Sequence, residues 1–182
     1  MIHNPESRGR ALAAFYLELG ARLYADLEES GLLATDTPTT ASRAATGPDA
    51  AGTHARREWE CFSLYACVRG LVAAGGFNRE TAAAIDAFHA AVLDHWMDDP
   101  AAGESIELRR TRISERYSEY GAIGQAGGAS GAASVTLRLG AAAARHLAAP
   151  LEPSEGLAEL AGGLHEALVE GATEAVRIAE PS

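Results

Sequence analysis

The sequence predicts an all-α chain: an antiparallel bundle of about six helices, with one long irregular loop after the first helix. Three observations carry this. Apolar residues recur at three- and four-residue spacing, as in Leu12, Phe15, Leu19, Leu23 and Leu27. The glycines and prolines that stop helices cluster between such segments. The most β-prone runs, such as Ala133 to Leu137, are short and sit among alanines.

Helix one is expected over residues 5–30. Asn4 is a capping residue, Pro5 fits the first helical position, and Glu6 places an acid in the first turn. Residues 31–53 are expected to form a flexible loop. From Thr35 to Thr53 the chain is rich in Thr, Ala, Asp, Pro and Gly with no apolar period. Such a segment would tether helix one and let it dock on a second copy of the chain.

Residues 54–179 are expected to form the main bundle, and the whole of 1–182 reads as one domain. Helix two spans His54 to about Ala74, with Trp59, Cys61, Phe62, Tyr65, Val68 and Val72 inward. Gly75-Gly76-Phe77-Asn78 is a turn short enough to make helices two and three antiparallel neighbours. Helix three runs from the Asn78 cap to about Asp98, with Ile85, Phe88, Val92 and Trp96 as its seam. Helix four spans Glu104 to Tyr120, and the glycine-rich run Gly121 to Gly131 reads as a loop. Helix five, Ala132 to Ala148, is alanine-rich and is placed centrally because small residues permit close approach. Helix six covers Ser154 to Ala179, with Leu157, Leu160, Leu164, Leu168 and Ala175 as its seam.

Composition excludes several functions. The formal net charge of −10 makes this an acidic protein and argues against nucleic acid, whose phosphates need clustered cations. All 15 basic residues are arginine, so Schiff-base and phosphate-loop lysine chemistry is excluded. No run approaches the roughly 18 apolar residues of a membrane span. The N-terminal residues do not resemble a signal peptide. Together these predict a cytoplasmic protein with no membrane partner.

The motifs that invite chemistry have plainer readings. The Gly121–Gly131 run has no GxG spacing, no lysine and no preceding strand, so it is a connector rather than a phosphate cradle. No Glu-x-x-His pair of the di-iron type occurs. Cys61 and Cys67 lie six apart on one helix, a poor disulfide geometry, and read as reduced core residues. His89 and His146 fall on apolar arcs, where hydrogen-bonded core histidines are expected. No metal and no cofactor is implied.

Arg109, Arg112 and Arg116 form a stripe on helix four. Its heads either pair with acids or line an anion site. Glu58 and Arg69 are the least expected residues, because both lie in the apolar arc of helix two. They are roughly 16 Å apart by helical rise and must each find a partner elsewhere. Folding at the two short turns would bring Glu58 level with His95. It would gather Tyr65, Arg69, His89, Arg116, Tyr117 and Tyr120 in one inter-helix region, with Arg69 held by an acid or by tyrosine hydroxyls. Two functions follow. The first is a non-catalytic interaction module that self-associates as a homodimer. The alternative is a protein or enzyme that binds a small anionic ligand through that Tyr/Arg/His cluster.

Overall fold

Cys61 to Cys67 are seven consecutive buried residues, more than one helical face can hide. A helix buried on all sides must be surrounded by others, and this one is. The computed structural model describes residues 4–33, 49–97, 104–126 and 131–178. Among these it shows six helices and no strand: α1 (Pro5–Glu29), α2 (Asp49–Gly75), α3 (Arg79–Met97), α4 (Ile106–Ala126), α5 (Ala132–Ala148) and α6 (Glu155–Ile178). The centre of the bundle is α2, which meets every other helix. The alanine-rich α5, expected there, packs against α2, α4 and α6 instead.

The caps are those the sequence encodes. Asn4 Oδ1 accepts from the Glu6 N–H at 3.0 Å, and Asn78 Oδ1 accepts from the Thr81 N–H at 2.8 Å. Three boundaries differ from expectation. The helix α2 begins at Asp49, inside the segment expected to be loop, and most of the remaining loop lies outside the described residues. Helix α4 continues through Gly121 and Gly124 to Ala126, so the first half of the expected glycine loop is helical. Each interior glycine costs about 1 kcal/mol against alanine, but Ile123 packs on the core and offsets it. On α6 the buried seam is Leu157, Ala161, His165, Leu168, Ala172 and Val176, rather than the leucine row.

Successive helices run antiparallel, which makes alternate helices parallel where they touch. Gly70 of α2 faces Val169 and Ala172 of α6, and Phe62 meets His165, so positions rise together along α2 and α6. Gly9 of α1 faces Ala84 and Phe88 of α3, and Tyr16 meets Trp96, so these helices are parallel too. A Cβ on Gly9 would lie 2.5 Å from the Ala84 carbonyl oxygen, so only glycine permits this approach. The result is that α3 packs chiefly on α1. The short turn joins α2 and α3 without making them main partners.

The core that these contacts enclose includes Leu12, Tyr16, Trp59, Phe62, Phe88 and Leu139. Trp59 Nε1 donates to the Gly20 carbonyl at 3.0 Å, tying α1 to α2. At the far end of α2 the buried Arg8 guanidinium lies against Gly75, where a cation complements the helix C-terminus. No helix among the described residues is long and apolar enough to cross a membrane.

Candidate functional site

The helix α4 meets α2 mainly through long polar side chains. Arg116 donates from Nε to Glu58 Oε2 at 2.6 Å and from Nη2 to Glu58 Oε1 at 3.1 Å. Arg112 lies 3.8 Å from Glu58 and also forms a two-pronged pair with Glu104. Arg57 and Arg109 approach Glu104 at 3.6 Å. Arg109 also stacks over Trp96, 4.7 Å from the ring centroid. Glu58 and Glu104 are nearly inaccessible, so each buried acid is surrounded by the arginines it needs. The arginine stripe is therefore occupied by the chain's own carboxylates. The ionic partners of Glu58 come from α4 and not from α3.

The six expected cluster residues are arranged as a chain and not as one ring of contacts. His89 Nε2 and the Tyr117 hydroxyl are 2.8 Å apart. The Tyr117 ring stands edge-on to Tyr65 at 5.5 Å. The Tyr65 hydroxyl donates to the Tyr120 carbonyl at 3.1 Å, and their rings are 5.4 Å apart. Burial raises the Tyr65 and Tyr117 hydroxyls above their usual range and lowers His89, so all three favour the neutral form. Arg116, through Glu58, belongs to the ionic network. The Tyr120 hydroxyl is buried with no hydrogen-bond partner among the described residues and feels chiefly the charge of Glu58 after its own burial.

Arg69 stands apart. It sits one turn beyond Tyr65, half-buried, and makes no ion pair among the described residues. Its Nη1 is buried with no hydrogen-bond partner there. No acid or tyrosine hydroxyl is bonded to it among those residues; the Tyr65 hydroxyl is directed at the Tyr120 carbonyl, and Glu58 and Glu104 lie against the arginines of α4.

What lies near Arg69 is His165, a residue the sequence reading passed over. His165 is fully buried, its ring 5.4 Å from Phe62 and 6.3 Å from Tyr65. Both ring nitrogens lack a hydrogen-bond partner among the described residues, although Nδ1 lies 3.5 Å from Glu166 Oε1. Burial, and then the Arg69 charge, push its pKa down to about 4. His165 was missed because Leu160 and Leu164 outweighed a seam of small residues. The row Leu157-Ala161-His165-Leu168-Ala172 has equal helical spacing and would have placed it inward.

Two further histidines have partners, while Thr81 Oγ1 and the Nε and Nη1 of Arg109 are buried without a hydrogen-bond partner among the described residues. His146 Nε2 pairs with Glu119 Oε2 at 2.6 Å, and His54 Nε2 lies 3.0 Å from the His146 carbonyl. Cys61 and Cys67 are free and buried, and burial pushes the Cys61 thiol up to about 12, which leaves it unreactive near neutral pH. Among the described residues no group of three His, Cys, Asp or Glu is placed to hold a metal ion. In comparisons with family models, curated proteins and solved structures, nothing matches this chain.

Proposed function

We propose that this chain binds a small anionic ligand between α2 and α6, with Arg69 as the charged contact. The observation that carries the reading is a contrast among interior arginines. Arg57, Arg109, Arg112 and Arg116 each have a carboxylate at ion-pair distance, whereas Arg69 has none among the described residues. A half-buried guanidinium without an acceptor is costly, and an anion is the group that removes the cost. His165 adds a second buried polar group on the facing helix. Both sit away from the ionic network that fixes α4, so a ligand there would not compete with the fold's own ion pairs. The test is thermal unfolding with acetate, propionate or phosphate present. At least one should raise Tm of the wild type and leave Arg69→Met unmoved. Equal shifts in both proteins, or none in either, would sink the reading.

Self-association is a second reading, favoured by one observation. Phe77 and Ile178 are 95% and 75% exposed and leave the bundle at the same end, where the parallel helices α2 and α6 finish. A C2 pairing of that end would cover both. Light scattering at micromolar concentration should then report a dimer that Phe77→Ser with Ile178→Ser converts to a monomer. A wild-type monomer over a wide concentration range contradicts it.

A further inference from the structure

We infer that α4 is a cover: it leaves the bundle as a unit while the other helices stay folded, and its departure exposes the face of α2 that carries Glu58, Phe62 and Tyr65. This stands independently of the anion-binding reading above.

Apolar burial holds the other helices, and little of it holds α4. Each of the other five fully buries at least three apolar side chains. In α4 only Arg109 and Tyr120 are buried, while Ile113, Tyr117 and Ile123 pack on the core and stay partly exposed. Both buried side chains carry polar atoms without a hydrogen-bond partner among the described residues. These are the Tyr120 hydroxyl and the Nε and Nη1 of Arg109, whose Nε stops 3.6 Å from Glu104. Docking strips water from these atoms and returns no equivalent bond. Leaving the bundle rehydrates them.

What fastens α4 is mostly polar. At the α2 seam Glu58 accepts two hydrogen bonds from Arg116 and stands 3.8 Å from Arg112, and Arg57 approaches Glu104 at 3.6 Å. The Tyr65 hydroxyl donates to the Tyr120 carbonyl. Towards α3, the Tyr117 hydroxyl meets His89 and Arg109 lies over Trp96. Towards α5, Glu119 meets Arg145 and His146. Buried ion pairs return little net stability, because the hydration lost by both charges offsets most of their attraction. The pair of Glu104 with Arg112 joins residues of one segment and travels with α4. At the α2 seam, opening therefore separates only the pairs made by Glu58 and Arg57. An element with few buried apolar side chains and unpartnered buried polar atoms is the one that opens before the fold does.

Amide hydrogen exchange of the full chain at neutral pH, read on the slowest amides of each helix, tests this. In the wild type those of α4 should exchange roughly tenfold or more faster than those of α2 and α6. Tyr120→Phe removes the unpartnered hydroxyl and keeps the ring, so it should slow α4 by roughly fivefold and leave α6 unchanged. Glu58→Gln leaves Arg112 and Arg116 without their carboxylate, so it should speed α4 by roughly tenfold or more and move α6 far less. The opposite signs of the two variants separate release of α4 from a general loosening of the fold, and the wild-type comparison stands even if Glu58→Gln does not fold. Exchange of α4 in step with α2 and α6 in the wild type overturns the inference. So does a Tyr120→Phe effect that is absent from α4 or shared equally with α6, or a Glu58→Gln effect as large in α6 as in α4.

Discussion

Two polar residues on neighbouring helices, the half-buried Arg69 and the buried His165, differ in how plainly the sequence shows them. Arg69 was legible because a charge in the apolar arc of α2 is conspicuous. His165 was hidden because its neighbours along the seam are Ala161 and Ala172, which signal burial weakly. The ionic partner of Glu58 was half legible: the stripe of Arg112 and Arg116 announced a need for acids, but the helix supplying each partner depended on packing. His165 also makes a stability statement. Its pKa falls from 6.5 in an unfolded chain to about 4 in the fold, chiefly through burial. Between those values the unfolded state binds more protons, so this contribution is present above pH 6.5 and is lost as pH falls towards 4. The full loss is roughly 3 kcal/mol. Urea unfolding of wild type and His165→Gln from pH 7.5 to 4.5 isolates the effect. The stability difference between the two proteins should shift against wild type as pH falls, and a pH-independent difference would mean that His165 does not titrate as a buried neutral group.

At the scale of helices, glycine acts in two ways that composition alone does not separate. Gly9, Gly70 and Gly140 are contact points where a neighbouring backbone or side chain fills the space of a Cβ. Gly140 is the sharpest case, its missing Cβ directed at the Ala158 carbonyl and the Gly162 backbone of α6. Gly163, one residue from that contact, has nothing within 4 Å of where its Cβ would be. Gly140→Ala should therefore lower stability by about 1–3 kcal/mol through overpacking, and Gly163→Ala should raise it by about 0.5–1 kcal/mol through helix propensity. Their urea midpoints should move in opposite directions. If both rise, α5 and α6 are not in backbone contact at Gly140. The same distinction explains why the end of α4 was read as loop. A Gly121–Gly131 run looks like a connector until Ile123 is seen to pack on the core. Helix existence, the caps at Asn4 and Asn78, and the span of α5 followed from local signals in the sequence. The centrality of α2 could have been read from its unbroken buried run, had Ser63 and Ala66 been weighed with Phe62 and Tyr65.

For the molecule as a whole, the six-helix all-α architecture was legible, and so was the contact of α2 with α3, but the most extensive helix pairings were not. Short turns specify that successive helices run oppositely, and they leave open which alternate helices pair. Close approach at Gly9 and Gly70 settles that in favour of α1 with α3 and α2 with α6. The second pairing brings His165 up to Phe62 and Tyr65, in the field of Arg69, which no hairpin argument could foresee. Three parallel helices, α2, α4 and α6, then divide the interior polar groups. At the α2–α4 seam Glu58 and Glu104 each hold arginines, and the α2–α6 seam has Arg69 without an ion pair among the described residues and the buried His165 beside Glu166. The central claim is that this second seam receives a ligand's anionic group. Its most direct measurement is the pair of His165 ring-nitrogen resonances during a propionate titration, in the wild type and in Arg69→Met. A saturable shift is expected in the wild type and stationary resonances in the variant. Resonances that stay fixed in the wild type, or move identically in both proteins, would contradict it.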